Sequence, residues 1–232
     1  MNLSAEFAKT RILLTVMHSC GIVTVTFIQF GYGLAAGWAA LLLSYRMSAM
    51  QFFDTHAHIG LIYDDPIEQL RVVQEAKQAN VTRIISICNS LHDFNVVYPT
   101  LKSASSVYHA VGVSPSEVTN PGKDWIHTIE ESLKLPNVVA LGEIGLDYFR
   151  KFGDKRSQIE LFITQLELAN KADVPVIIHN RDAGKDVLDI LAERLPPAGG
   201  VLHCYSEDAE YARIALDLNL YFSFAGNLTY RN

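Results

Sequence analysis

The sequence predicts an α/β protein, a TIM-type (β/α)8 barrel lacking its last strand and helix, behind an apolar N-terminal extension. Three observations lead there. Short apolar runs alternate with amphipathic stretches from Gln51 onward, the pattern of strand and helix in turn. The runs are near-continuously apolar, which marks parallel strands covered on both faces. The turn after the first run is Asp54-Thr-His-Ala-His58, without the glycines of a dinucleotide-binding open sheet. A barrel is what remains.

In chain order the apolar runs are Phe52-Phe53, Arg83–Cys88, Tyr108–Val113, Val138–Ile144, Pro175–His179, Gly200–Cys204 and Leu220–Ala225. Between them, Pro66–Asn80 carries Ile67, Leu70, Val73 and Ala76 on one helical stripe, and Gln158–Ala172 carries Leu161, Phe162, Leu166 and Ala169. Pro66 suits a first helical turn, and Ser157 or Asp154 suits an N-cap for the long helix. Residues 50–232 fall short of the roughly 250 such a barrel uses. The sequence therefore reads as C-terminally incomplete, with the first and seventh strands expected to keep unpaired edges.

The chain divides at Met50: an apolar extension over 1–49 and the incomplete barrel over 50–232. No Asp, Glu, Lys or Arg occurs from Ile12 to Tyr45, a stretch longer than the about 20 residues that cross a bilayer. Three readings stand: an extension from an upstream start codon, a membrane anchor through 12–45, and a signal peptide. The first leaves the barrel cytoplasmic; the second tethers it.

Composition narrows the function. Of 232 residues, 49% are apolar and 19% charged, so the chain builds a large core and is not disordered. A formal net charge of −6 argues against a coat for bulk nucleic acid. Cys20, Cys88 and Cys204 form no CxxC, which argues against a disulfide framework or a cysteine-built zinc site.

In a barrel the chemistry sits at the C-terminal ends of the strands. There the sequence places His56 and His58, then Glu143 and Asp147, then His179, then His203. Strand residues i and i+2 share a face, so one strand aims both imidazoles of His-x-His at one cation. Glu143 has two oxygens with which to bridge two ions, and His179 and His203, on adjacent strands, suit the second. Imidazole and carboxylate together suit Zn, Mn or Fe, and Mg where carboxylate and water dominate. Two ions about 3.5–4 Å apart are the usual arrangement for hydrolysing phosphodiesters or amides. Asp54 is expected to support the histidine pair, and Asp147 to stand beside the ligands. Cys204 reads as a buried strand thiol. Arg181 is the candidate for a charge-assisted contact with phosphate; Tyr148, Phe149 and Arg150 are candidates for stacking and phosphate contact.

Phe52-Phe-Asp-Thr-His-Ala-His58, Gly142-Glu-Ile-Gly-Leu-Asp147, Pro175-Val-Ile-Ile-His-Asn-Arg-Asp-Ala183, His203-Cys-Tyr-Ser206 and Ser223-Phe-Ala-Gly-Asn-Leu-Thr-Tyr230 resemble the TatD-type metal-dependent hydrolases. The resemblance runs from Met50 to the C-terminus. It implies a TIM-barrel deoxyribonuclease with two divalent ions (Mg, Mn or Zn), acting on DNA ends or single strands, with no stable protein partner. It implies that His56 and His58 hold one ion, Glu143 bridges, and His179 and His203 hold the other. Four positions depart from the family pattern. Ser114 and Ser116 replace the histidines of its Gly-x-His-Pro-His stretch, Gly60 its Asp or Asn, and Glu207 its Gly. The family's Glu-Thr-Asp motif of the eighth strand is absent, which predicts weaker metal binding and slower turnover. The rival readings are an amidohydrolase-like enzyme acting on an amide, ester or aminoacyl bond, and an inactive homologue.

Overall fold

The computed structural model describes residues 51–229, together with the backbone of Ile12–Leu13. The rest of the extension, including residues 14–45 of the proposed membrane segment, lies outside the described residues. No helix among the described residues is long and apolar enough to cross a membrane.

Seven barrel strands follow in the expected order: β1 (Phe52–Ala57), β2 (Val81–Ile87), β3 (Val107–Val111), β4 (Val138–Asp147), β5 (Val176–Arg181), β6 (Gly200–Leu202) and β7 (Tyr221–Ser223). All pair in parallel, each with its neighbour in sequence. The helices between them are α1 (Ile59–Ile62), α2 (Pro66–Gln78), α3 (Leu91–Leu101), α4 (Trp125–Ser132), α5 (Lys155–Ala172), α6 (Gly184–Arg194) and α7 (Ala209–Asp217). This is the α/β barrel architecture, nearly closed. The free edge of β7 is not wholly bare. Ile12–Leu13 pairs with it in parallel, Ile12 opposite Phe222 and Leu13 opposite Ser223, because an open strand edge offers N–H and C=O groups that any extended backbone satisfies.

Local chemistry sets the boundaries. Asp65 accepts a hydrogen bond from Ile67 N–H at 2.9 Å, with Pro66 in the first turn of α2. Ser90 and Asp93 form a reciprocal capping box at α3. Of the two caps proposed for α5, Asp154 fills the role, accepting from Ser157 N–H at 2.9 Å. Such a cap contributes about 1 kcal/mol.

Strand residues alternate between two cores. Val111, Leu141, Ile144, Ile178 and Leu202 face the helices and pack with Phe162, Leu166, Val187 and Leu191. Ile87, Ala110, Ala140 and Ile177, from four successive strands, form a separate layer on the opposite face. That face also carries His179, two residues past Ile177. The α2 stripe is a correction to the sequence reading. Val73 is buried, but Ile67 and Leu70 are exposed, since α2 packs at the barrel's edge and turns Gln69 and Val73 inward. A second correction concerns β6, which ends at Leu202. Cys204 is therefore a half-buried turn residue with φ +50°, not a strand thiol.

Candidate metal centre

The buried end of β1 carries Asp54 and His56, both nearly inaccessible. Asp54 Oδ1 accepts the backbone N–H of His56 at 2.9 Å, holding the strand end in place. His58 follows at the start of α1. Its Nε2 lies 3.0 Å from that of His56. Both nitrogens reach Glu143 Oε2, at 3.3 Å from His56 and 3.5 Å from His58.

Glu143, on β4, divides its two oxygens. Oε2 faces the β1 pair, and Oε1 lies 2.6 Å from Nδ1 of His179 on β5. The other nitrogen of His179 is 3.2 Å from Asp147 Oδ2. His203, in the turn after β6, does not pair with His179. Its ring stacks on His56 with centroids 3.3 Å apart and planes 11° apart. His56, Glu143 and His203 each offer a ligand atom within 4.8 Å of the others.

Electrostatics sorts the imidazoles. Burial, then the neighbouring His56, lowers the pKa of His58 to about 4. The same two causes hold His203 well below its ordinary value. His179 behaves oppositely. Burial pulls it down, but hydrogen bonds to Asp147 and Glu143 outweigh that and raise it to about 9. Burial alone would raise Glu143, yet the charge of His56 and the bond to His179 hold its carboxyl well below the usual range. An ionised carboxylate beside the desolvated imidazoles of His58 and His203, both held neutral, is a donor set for a divalent cation. The facing Nε2 atoms of His56 and His58, 3.0 Å apart, support this, since a cation between the rings engages a lone pair from each. His203 Nδ1 is buried and has no hydrogen-bond partner. The donors present fit a metal.

Two glutamines that sequence reasoning did not single out brace this mouth. Gln158 on α5 accepts from Asp147 N–H at 2.8 Å and donates to Asp147 C=O at 3.0 Å and Phe152 C=O at 2.7 Å. Gln165, one heptad on, accepts from Val113 N–H at 2.8 Å and donates to Val113 C=O at 2.9 Å. The signal was available: two buried glutamines on the same stripe as Leu161, Phe162 and Leu166. Their backbone partners were not visible in sequence.

A cavity of about 260 Å³ opens onto the cluster, lined by His58, Glu143, Asp147, His179 and His203 with Asn89, Ser114, Ser116 and Arg150. Ser114 and Ser116 hydroxyls lie 2.5 Å apart on its wall. Arg150 is the arginine among the lining residues. Arg181 lies outside it, stacked over Phe149 with Cζ 4.2 Å from the ring centroid. Tyr148 is engaged elsewhere: its hydroxyl donates to Asp186 at 2.7 Å and Lys155 sits over its ring at 4.0 Å.

A parallel α/β barrel with a histidine–carboxylate cluster at the C-terminal mouth defines a metal-dependent hydrolase. The chain belongs to the TatD family: residues 53–232 match the family model described as TatD related DNase. It is 36% identical over 182 residues to an uncharacterized metal-dependent hydrolase, YabD, of Bacillus subtilis, covering 78% of this chain and 71% of that one. It is 30% identical over 158 residues to a protein of Erwinia billingiae named 3′-5′ ssDNA/RNA exonuclease TatD, covering 67% and 60%. Among solved structures, the TatD homologue YJJV of Escherichia coli superposes with a TM-score of 0.65 at 29% identity, covering 73% of this chain and 66% of that one. The chain thus spans just under two thirds of that structure's length.

Proposed function

We propose that this hydrolase cleaves phosphodiester bonds at single-stranded or frayed ends of DNA, using two divalent ions held by His56, His58, Glu143, His179 and His203. The observation that carries the reading is the division of Glu143, one oxygen to the β1 histidines and the other to His179. A carboxylate so placed would offer one oxygen to each of two cations. Divalent ions bound there supply Lewis acidity and lower the pKa of water toward about 7.

The chain's own residues do the rest. Asp147 orients His179 through Nε2 and holds the following loop by accepting Arg150 N–H at 2.8 Å. Arg150 thereby projects at the cavity wall, where a guanidinium makes a charge-assisted contact with a non-bridging phosphate oxygen. The hydroxyls of Ser114 and Ser116 offer neutral donors on the same wall. The nuclease name of the Erwinia relative supports nucleic acid as substrate. The test is hydrolysis of single-stranded DNA with added Mg²⁺, Mn²⁺ or Zn²⁺. Wild type should cleave and His56→Ala should not; equal activity in the two sinks the reading.

A further inference from the structure

We propose that Phe149, backed by Arg181, is a one-sided stacking platform for an unpaired nucleobase beside the metal centre. The inference rests on the nucleic-acid reading of this site and deepens it.

Phe149 is 57% exposed. An isolated exposed aromatic is unremarkable on a protein surface, but this one is held in three ways. Tyr148 N–H donates to Arg181 C=O at 2.9 Å. Asp147 lies opposite Arg181 in the β4–β5 register. Asp147 Oδ1 also receives Arg150 N–H. The loop bearing Phe149 is therefore tied at both sides of the ring to the strand ends that carry Asp147 and His179. The Arg181 guanidinium covers one face of the ring at 4.2 Å, a cation–π contact that fixes the ring plane. Among the described residues Arg181 makes no salt bridge, which leaves its guanidinium to the Phe149 ring.

The neighbours divide the labour. Tyr148 is spent on Asp186 and Lys155. Arg150, the next residue after Phe149, lines the cavity. Phe149 immediately precedes Arg150 in the same loop, so a strand whose phosphate meets Arg150 comes to the loop that presents the ring. The partner that fits is a nucleobase with a free π-face, as at a single-stranded end. A base inside a duplex has both faces covered by its neighbours and gains nothing. Arg181 is accordingly a positioning residue that acts through Phe149, and the phosphate contact falls to Arg150.

The test compares wild type, Phe149→Ala and Phe149→Tyr in hydrolysis of single-stranded oligodeoxythymidylate, and of the same strand with an abasic terminal residue. Binding of the fluorescein-labelled strand is followed in parallel by anisotropy. Loss of one base–aromatic stack predicts about a ten-fold rise in KM for Phe149→Ala, falling on KM rather than kcat. Phe149→Tyr should restore it, and the abasic strand should show no difference between the variants. Cleavage with the same KM in wild type and Phe149→Ala overturns the platform while leaving the nuclease reading intact. Binding that weakens about ten-fold in Phe149→Ala, without cleavage by wild type, supports the platform and removes the nuclease reading. An equal loss on the abasic strand also overturns the platform.

Discussion

The ring of His203 lies flat on that of His56, with centroids 3.3 Å apart. The turn after β6 is thereby joined to the end of β1 across the barrel mouth. Burial, and next the neighbouring His56, hold His203 well below its ordinary value, so its imidazole enters this stack uncharged. The cluster is thus prepared to hold cations, and its properties can be tested one group at a time.

Glu143→Gln keeps the shape and removes the charge that faces three histidines. On the proposed reading Glu143 is an anionic ligand shared by both halves of the cluster, and its loss should lower divalent-metal affinity at least about 100-fold, since even supporting residues around metal sites cost 10–100-fold. Calorimetric titration with Mn²⁺ measures it, with circular dichroism to show that the fold persists. Chelation of wild type by EDTA should abolish hydrolysis, and added metal should restore it.

Gly145 has φ +140°, and a Cβ there would lie 2.0 Å from the carbonyl oxygen of His179. Gly145→Ala cannot be accommodated without pushing β5 away from β4. Strain at a φ that L residues avoid, added to a backbone clash, predicts a loss of about 3 kcal/mol. Thermal unfolding measures this, and activity should fall beyond what the stability change explains, because β5 carries His179.

Gln158→Leu preserves volume but leaves Asp147 N–H and C=O buried without their partner. Each buried orphan costs about 1–3 kcal/mol, so denaturant unfolding should show a loss of about 3 kcal/mol. A Gln158→Glu variant, which keeps the acceptor and loses the donor, should fall between.

His109 is fully buried against Phe94 and Tyr98, with no hydrogen-bond partner at either ring nitrogen. Burial lowers its pKa to about 4 from 6.5. The unfolded chain therefore binds the proton first, and the contribution of neutral His109 is fully present above pH 6.5 and lost as pH falls toward 4. At about 1.4 kcal/mol per unit, the loss approaches about 3 kcal/mol. Unfolding of wild type and His109→Leu across pH 4–7.5 should show the two stability curves diverging below pH 6.5, with the variant the less acid-sensitive. Parallel curves would contradict it.

Much of the architecture was readable from local patterns. The seven strands stand out because near-continuous apolar runs such as Val138–Ile144 are buried on both faces, and α5 stands out because its stripe and its cap at Asp154 are both local features. The candidate ligands stood out because His-x-His uses the two-residue strand period, and the other ligands fall at the ends of other strands. The exposed Ile67 and Leu70 show where this fails. Their helical spacing says that they share a face, but not that the face lies at the rim of the barrel.

Composition and spacing alone determined the class of fold, the order of its strands, and the residue types gathered at its mouth, since periodicity is a property of neighbours along the chain. Tertiary structure decided the pairings: that Glu143 divides its oxygens, that His203 joins His56 rather than His179, that Gln158 braces Asp147, and that Arg181 covers Phe149. Those contacts join residues from different strands and helices. Their distances depend on how the elements close around one another, which no spacing along the chain encodes.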